Sequence, residues 1–132
     1  MKMSHLYTGI LLISVFVCVH MAQSAAKWER LGARTVKHSV DRDVILVGAK
    51  EGAFTAVKLT VKKAGLHFLD MKVHFVNRDV QDVEIRKFIA NGGETRVIDL
   101  VDKDRRIEKV VFWYKTTNKN ERDALVRLWG RH

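Results

Sequence analysis

Four histidines lie beyond residue 26, His38, His67, His74 and His132, and they are the natural starting points for metal or acid–base chemistry. None stands in an H-E-x-x-H or C-x-x-C context, and Cys18 is the only cysteine of the chain. The ligand spacing of a tetrahedral zinc site is therefore missing. On one extended strand His67 and His74 lie more than about 20 Å apart, too far to share an ion. Asp41 and Asp43 flank Arg42, and Asp102 and Asp104 flank Lys103. Spaced loop acids supply the oxygens that calcium takes, but each pair encloses a cation and no EF-hand spacing follows. Turn-forming aspartates are the simpler expectation. Ser39 is the one serine after Ala26 and adjoins His38. Neighbours on a strand point to opposite faces, so the two make no catalytic dyad there. No G-x-S-x-G elbow and no phosphate-binding glycine loop occurs. The expectation is a protein without catalytic residues, metal or cofactor.

A different chemistry is open to the aromatic residues. Trp28, Trp113, Tyr114 and Trp129 are large for so small a chain, and core filling is their simplest role. Trp113 has the best case for exposure, because Phe112 and Tyr114 claim the other side of its strand. By strand parity Lys109, Trp113 and Lys115 share one face. A ring set among lysines can stack on sugars or bases while the ammonium groups attract phosphates or carboxylates. Whether Lys58, Lys62, Lys72 and His74 join that face depends on strand order, which parity leaves open.

The elements that position these residues begin after a distinctive leader. Lys2 is the only charged residue before Lys27, and Gly9 to Val19 is apolar apart from Ser14. Ala22, Ser24, Ala25 and Ala26 form a small-residue exit. This is the pattern of a helical signal peptide over residues 1–26, cleaved after Ser24 or after Ala26. The apolar run is shorter than the roughly 20 residues needed to cross a bilayer. Val17 is a poor neighbour for a lipid-bearing Cys18. The expected mature chain, residues 27–132, therefore has no cysteine and must fold in an oxidising compartment on its core alone.

The chain has 24 basic and 15 acidic residues, a formal charge of +9, and losing Lys2 leaves +8. That excess favours anionic partners. It equally serves solubility, since acids and bases interleave in Asp102-Lys-Asp-Arg-Arg106 and no dense basic run appears.

From Trp28 onward the dominant period is two. Thr55, Val57, Leu59 and Val61 alternate with Ala56, Lys58, Thr60 and Lys62, as in a half-buried strand. Further strands are expected at 31–36, 44–47, 66–75, 80–85, 95–100, 106–115 and 125–129. Turns are expected at 62–65, 77–79, 91–93 and 116–120. Residues 84–90 read as either a strand end or a short helical turn. The alternation changes phase near Asp70, and a β-bulge there would place Leu66, Phe68, Met71, Val73 and Phe75 on one core face. It would also bring His67 and His74 to the opposite face. Seven to eight such strands make a single small antiparallel β-sandwich.

The ordered segments Val57-Lys-Leu-Thr-Val61, Met71-Lys-Val-His-Phe75, Val80-Gln-Asp-Val83, Gly92 to Leu100, Arg106 to Phe112 and Val126-Arg-Leu128 resemble a family of small exported bacterial β-domains of unknown function. The resemblance covers roughly residues 28–132. It implies a compact β-sandwich in the periplasm or outside the cell, with Val110 and Phe112 facing inward and Val111 and Trp113 toward the other side. It supplies no active site. The function expected is a non-enzymatic binding or accessory domain engaging an anionic envelope glycan, lipid or protein through a basic sheet face. The alternatives are an assembly partner of another envelope protein and, behind it, a small carbohydrate-active enzyme. Nucleic acid finds no recognition helix or RNA-binding motif here.

Overall fold

The computed structural model describes residues 27–37, 41–48, 51–115 and 123–132. The expected signal peptide, the His38–Ser39 pair and the 116–120 turn lie outside the described residues. Nine β-strands and no α-helix occur among the described residues. They are β1 (Trp28–Val36), β2 (Arg42–Leu46), β3 (Ala53–Phe54), β4 (Ala56–Lys62), β5 (Leu66–Phe75), β6 (Val80–Ile89), β7 (Ile98–Asp99), β8 (Arg105–Lys115) and β9 (Ala124–Arg131). One sheet has the order β1-β9-β4-β7, the other β2-β8-β5-β6, with β3 also on β8. Every pairing is antiparallel. Among the described residues no helix is long and apolar enough to cross a membrane.

The architecture is the expected β-sandwich. Leu59, Val61, Val126 and Leu128 from the first sheet join Phe68, Met71, Val73, Val110 and Phe112 from the second in one buried cluster. Alternation accounts for this: each strand sends every second side chain inward. Residues 84–89 continue as strand, so the helical alternative is set aside. Two short elements depart from expectation. The 95–100 strand shrinks to Ile98–Asp99, because the Thr95 hydroxyl accepts from the Leu59 N–H at 3.1 Å and draws that segment out of regular pairing. The two-residue β3 was not anticipated from the sequence.

The phase change at Asp70 is a real bulge. Phe68 opposes Tyr114 while Met71 opposes Phe112, so β5 carries one residue more than β8. Leu66, Phe68, Met71, Val73 and Phe75 are all buried as a result. β6 adds its own extra residue here, between Glu84 and Lys87, with Arg86 at a left-handed φ of 43°.

The two sheets are also tied by polar contacts. Asp43 is a buried strand residue and not a turn former. The Tyr114 hydroxyl donates to its Oδ2 at 2.9 Å and Arg34 Nε donates to its Oδ1 at 3.0 Å. Arg34 comes from β1 and the other two from the opposite sheet, so the network crosses the open side of the sandwich. Burial chiefly, then the Asp43 hydrogen bond and charge, push the Tyr114 phenol well above its ordinary range. On the other side, Gln81 of β6 reaches the 99–101 segment. Its Nε2 donates to the Asp99 carbonyl at 2.9 Å, and its Oε1 accepts from the Val101 N–H at 2.9 Å. At one end Arg105 lies over the Phe75 ring at 3.9 Å and donates to the Val101 carbonyl and to Asp79.

Two measurements test this packing. A Cβ at Gly130 would stand 2.7 Å from Phe54 and 2.8 Å from Leu31, both core side chains. Gly130→Ala should therefore cost about 1–3 kcal/mol in urea unfolding. The folded state holds the Tyr114 proton more tightly than the unfolded chain. Its contribution is complete below the ordinary phenol range near pH 10 and is lost as pH rises toward the raised folded value. Tyr114→Phe should cost about 1 kcal/mol at neutral pH. Its stability should also fall less steeply than the parent's above the ordinary phenol range.

Candidate functional site

The residues with a prospect of function sit on the outer face of β2-β8-β5-β6. Along β8 the inward residues Ile107, Val110, Phe112 and Tyr114 are buried. A one-residue irregularity between His74 and Phe75 resets the β5–β8 register there, so Ile107 and Val110 can both face the core. Lys109, Val111, Trp113 and Lys115 project to the other side, as expected of Val111 and Trp113. Val111 is nonetheless only 1% exposed, set between Val44 of β2 and Lys72 of β5 across the ladders. Lys109 and Trp113 are half-buried and Lys115 is exposed.

Strand order now decides what joins them. Directly opposed residues in an antiparallel pair project to the same side. Arg42 opposes Trp113 and Leu46 opposes Lys109 on β2, while His67 opposes Lys115 and His74 opposes Lys109 on β5. Lys72 shares the face as the partner of Val111. The Arg42 guanidinium lies 5.8 Å from the centre of the Trp113 ring, close enough for cation–π attraction. Lys58 and Lys62 belong to β4 of the other sheet and do not join. His67 and His74 do share the face, at its two ends.

The bulge gives this face its relief. Where β5 and β8 lose register, a shallow depression of about 400 Å³ opens beside Trp113. Leu69, Lys72, Asp82, Glu84 and Arg86 contribute to its wall. Charge is divided across it. Lys72 pairs with Asp82 at 3.6 Å and Arg86 with Asp70 at 3.5 Å, both largely solvated. Exposed pairs of this kind add little stability. The acids gather toward β6, so the positive charge of this face belongs mainly to Arg42 of β2 and Lys109 and Lys115 of β8.

Among the described residues no three His, Cys, Asp or Glu side chains stand together to hold a metal. The acid pairs divide as their surroundings dictate. Asp102, Lys103 and Asp104 form a tight left-handed turn with φ of 65°, 45° and 46°, and Asp43 is consumed by Tyr114 and Arg34. His132 is engaged structurally: its Nδ1 lies 2.9 Å from the Ala53 carbonyl and its Nε2 2.8 Å from Glu29. Both partners are acceptors, so a doubly protonated ring satisfies both. The Glu29 hydrogen bond is the main reason its pKa rises above the ordinary histidine value.

A second cluster becomes visible only with the strand order. Trp28, Trp129, Lys58, Arg127 and Arg131 come together on the outside of the other sheet. The alternation Leu125, Arg127, Trp129, Arg131 was the visible signal, but it acquires meaning only when β1 and β4 are known to flank β9.

Comparison with known proteins gives the architecture a context and leaves the chemistry open. No curated protein matches the sequence. Among solved structures, AlgX of Pseudomonas aeruginosa superposes with a TM-score of 0.51 at 15% identity, over 79% of this chain and 27% of that one. At that identity the likeness concerns the fold alone, and this chain spans about a quarter of the AlgX chain. A family profile matches residues 9–130, most of the chain. The protein belongs to the family described as a domain of unknown function, DUF2541.

Proposed function

We propose that this is an exported, non-enzymatic binding or accessory domain that engages an anionic envelope component through the outer face of β2-β8-β5-β6. The supporting observation is the gathering of Arg42, Lys72, Lys109 and Lys115 around a half-buried Trp113 on one sheet face. A ring held at the surface by Arg42 offers a platform, and the surrounding cations attract carboxylate or phosphate. The depression beside Trp113 offers a ligand some concave contact, although the face is mostly flat. Export rests on the leader-like residues 1–26 and on a remainder without cysteine. No catalytic constellation in the sequence or at this face argues for turnover.

A second reading is assembly with another envelope protein through a sheet edge. It is favoured by Leu46, 75% exposed on β2, the terminal strand of its sheet. Edge strands present unpaired backbone groups to an incoming strand.

The first reading is tested with the purified protein on envelope glycans, anionic lipid vesicles and DNA at low and physiological salt. Binding should be selective, weaken with salt, and fall at least about tenfold in the Lys109→Gln/Trp113→Ala/Lys115→Gln variant. Full retention of binding in that variant, folded by circular dichroism, would remove the site. For the second reading, analytical ultracentrifugation should show association or a co-purifying partner that Leu46→Asp weakens. A strictly monomeric, partner-free protein would rule against it.

A further inference from the structure

The outer face of the four-stranded sheet carries a concentration of positive charge that the preceding reading does not use. The β1–β9 and β9–β4 ladders sort this face into rungs of opposed residues. Trp28, Arg131 and Ala56 make one rung, and Arg30, Trp129 and Lys58 the next. Ala33, Arg127 and Thr60 make the third, and Thr35, Leu125 and Lys62 the fourth. Alternate residues on a strand lie about 7 Å apart, so every rung holds a cation over about 20 Å along the strands.

Two of the described acids on this side are already paired. Glu94 pairs with Lys58 at 3.2 Å and Asp99 with Arg131 at 3.6 Å. Arg30, Lys62 and Arg127 have no ion-pair partner among the described residues. The Nε of Arg127 is buried without a hydrogen-bond partner among the described residues, and a buried donor favours a nearby acceptor. The tryptophans are built into the cation layer. Lys58 Nζ lies 4.5 Å and the Arg131 guanidinium 5.5 Å from the Trp28 ring centre, and Trp129 Nε1 donates to Thr60 Oγ1 at 3.0 Å.

We propose that the outer face of β1-β9-β4 is a binding surface for an extended acidic polysaccharide, laid along the strands and held by Arg30, Lys58, Lys62, Arg127 and Arg131. Charge complementarity in a line is the basis. A chain with carboxylates at intervals meets a cation on each rung, and guanidinium forks pair carboxylates through two parallel hydrogen bonds. Its hydroxyls meet Thr35 and Thr60 between the cations. Two other polyanions fit less well. Single-stranded nucleic acid is held by bases stacked on free rings, whereas Trp28 is covered by Lys58 and Arg131 and Trp129 is half-buried and tied to Thr60. A membrane surface takes protruding apolar side chains, and none of the exposed large apolar residues occupies these rungs. The inference concerns the sheet opposite Trp113 and goes beyond the function proposed above.

The test is calorimetric titration of the protein with polygalacturonate and with its methyl-esterified, uncharged form. The variants are Arg30→Gln/Lys62→Gln, both at exposed positions, and Arg78→Gln/Lys103→Gln, an equal loss of charge in distant turns. Polygalacturonate should bind and the ester should not. The Arg30/Lys62 variant should lose at least about tenfold in affinity, and the turn variant much less. The proposal is overturned by absent binding, by equal binding of the ester, or by equal loss in both variants. It is also overturned if single-stranded DNA or phosphatidylglycerol vesicles bind more tightly at the same salt. A loss confined to a Lys109→Gln/Lys115→Gln variant would overturn this inference and leave the Trp113 face standing.

Discussion

A β-strand can bury only every second side chain, and β5 meets that constraint by spending one residue. Between Phe68 and Met71 the chain takes an extra step relative to β8. Without it, either Leu66 and Phe68 or Met71, Val73 and Phe75 would face water, since a slip of one position exchanges the two faces. Much of the second sheet depends on that step. It keeps five apolar residues of β5 on the core, and it sets His67, Lys72 and His74 on the outside. It also breaks the ladder beside Trp113, so an otherwise flat face acquires a depression. Packing and surface chemistry thus share one cause.

The core itself is apolar and interdigitated, with Phe54, Phe68, Phe112 and Leu128 fully buried. Among the described residues there is no cysteine to supplement it, so cohesion between the sheets falls to burial and to a few polar ties. The Arg34–Asp43–Tyr114 network is the most demanding of them. A buried carboxylate persists because two donors meet it, one of them from the facing sheet. The His132 ring performs a milder version at the end of β9, tilted against Phe54 at 4.5 Å while it reaches Glu29 of β1.

Strands were legible wherever alternation was strong. β4, β5, β8 and β9 follow their apolar period closely, and the bulge near Asp70 could be located because five large side chains fall out of phase. What the sequence hid was everything that depends on neighbours. β3 is too short to have a period. The 95–100 segment reads as a strand, but side-chain capture by Thr95 frays it. Asp43 looks like a turn residue until Tyr114, 71 positions away, is brought to it. Parity correctly groups Lys109, Trp113 and Lys115 on one face, because that grouping lies within one strand. The company they keep, and the row of cations on the other sheet, is a property of strand order, which local patterns do not encode.

The Gln81 side chain carries a consequence for how this sandwich meets other chains. A side-chain amide sets an N–H donor beside a carbonyl acceptor at nearly the spacing of a peptide unit, and here both groups are used on the 99–101 backbone. The side chain acts as a one-residue surrogate strand. It satisfies two backbone groups beside β7 that a foreign strand would otherwise seek. The opposite border, along β2, has no such stopper among the described hydrogen bonds. Beside β7, therefore, the sandwich supplies from its own side chain the two hydrogen bonds that strand addition would otherwise draw from a neighbour.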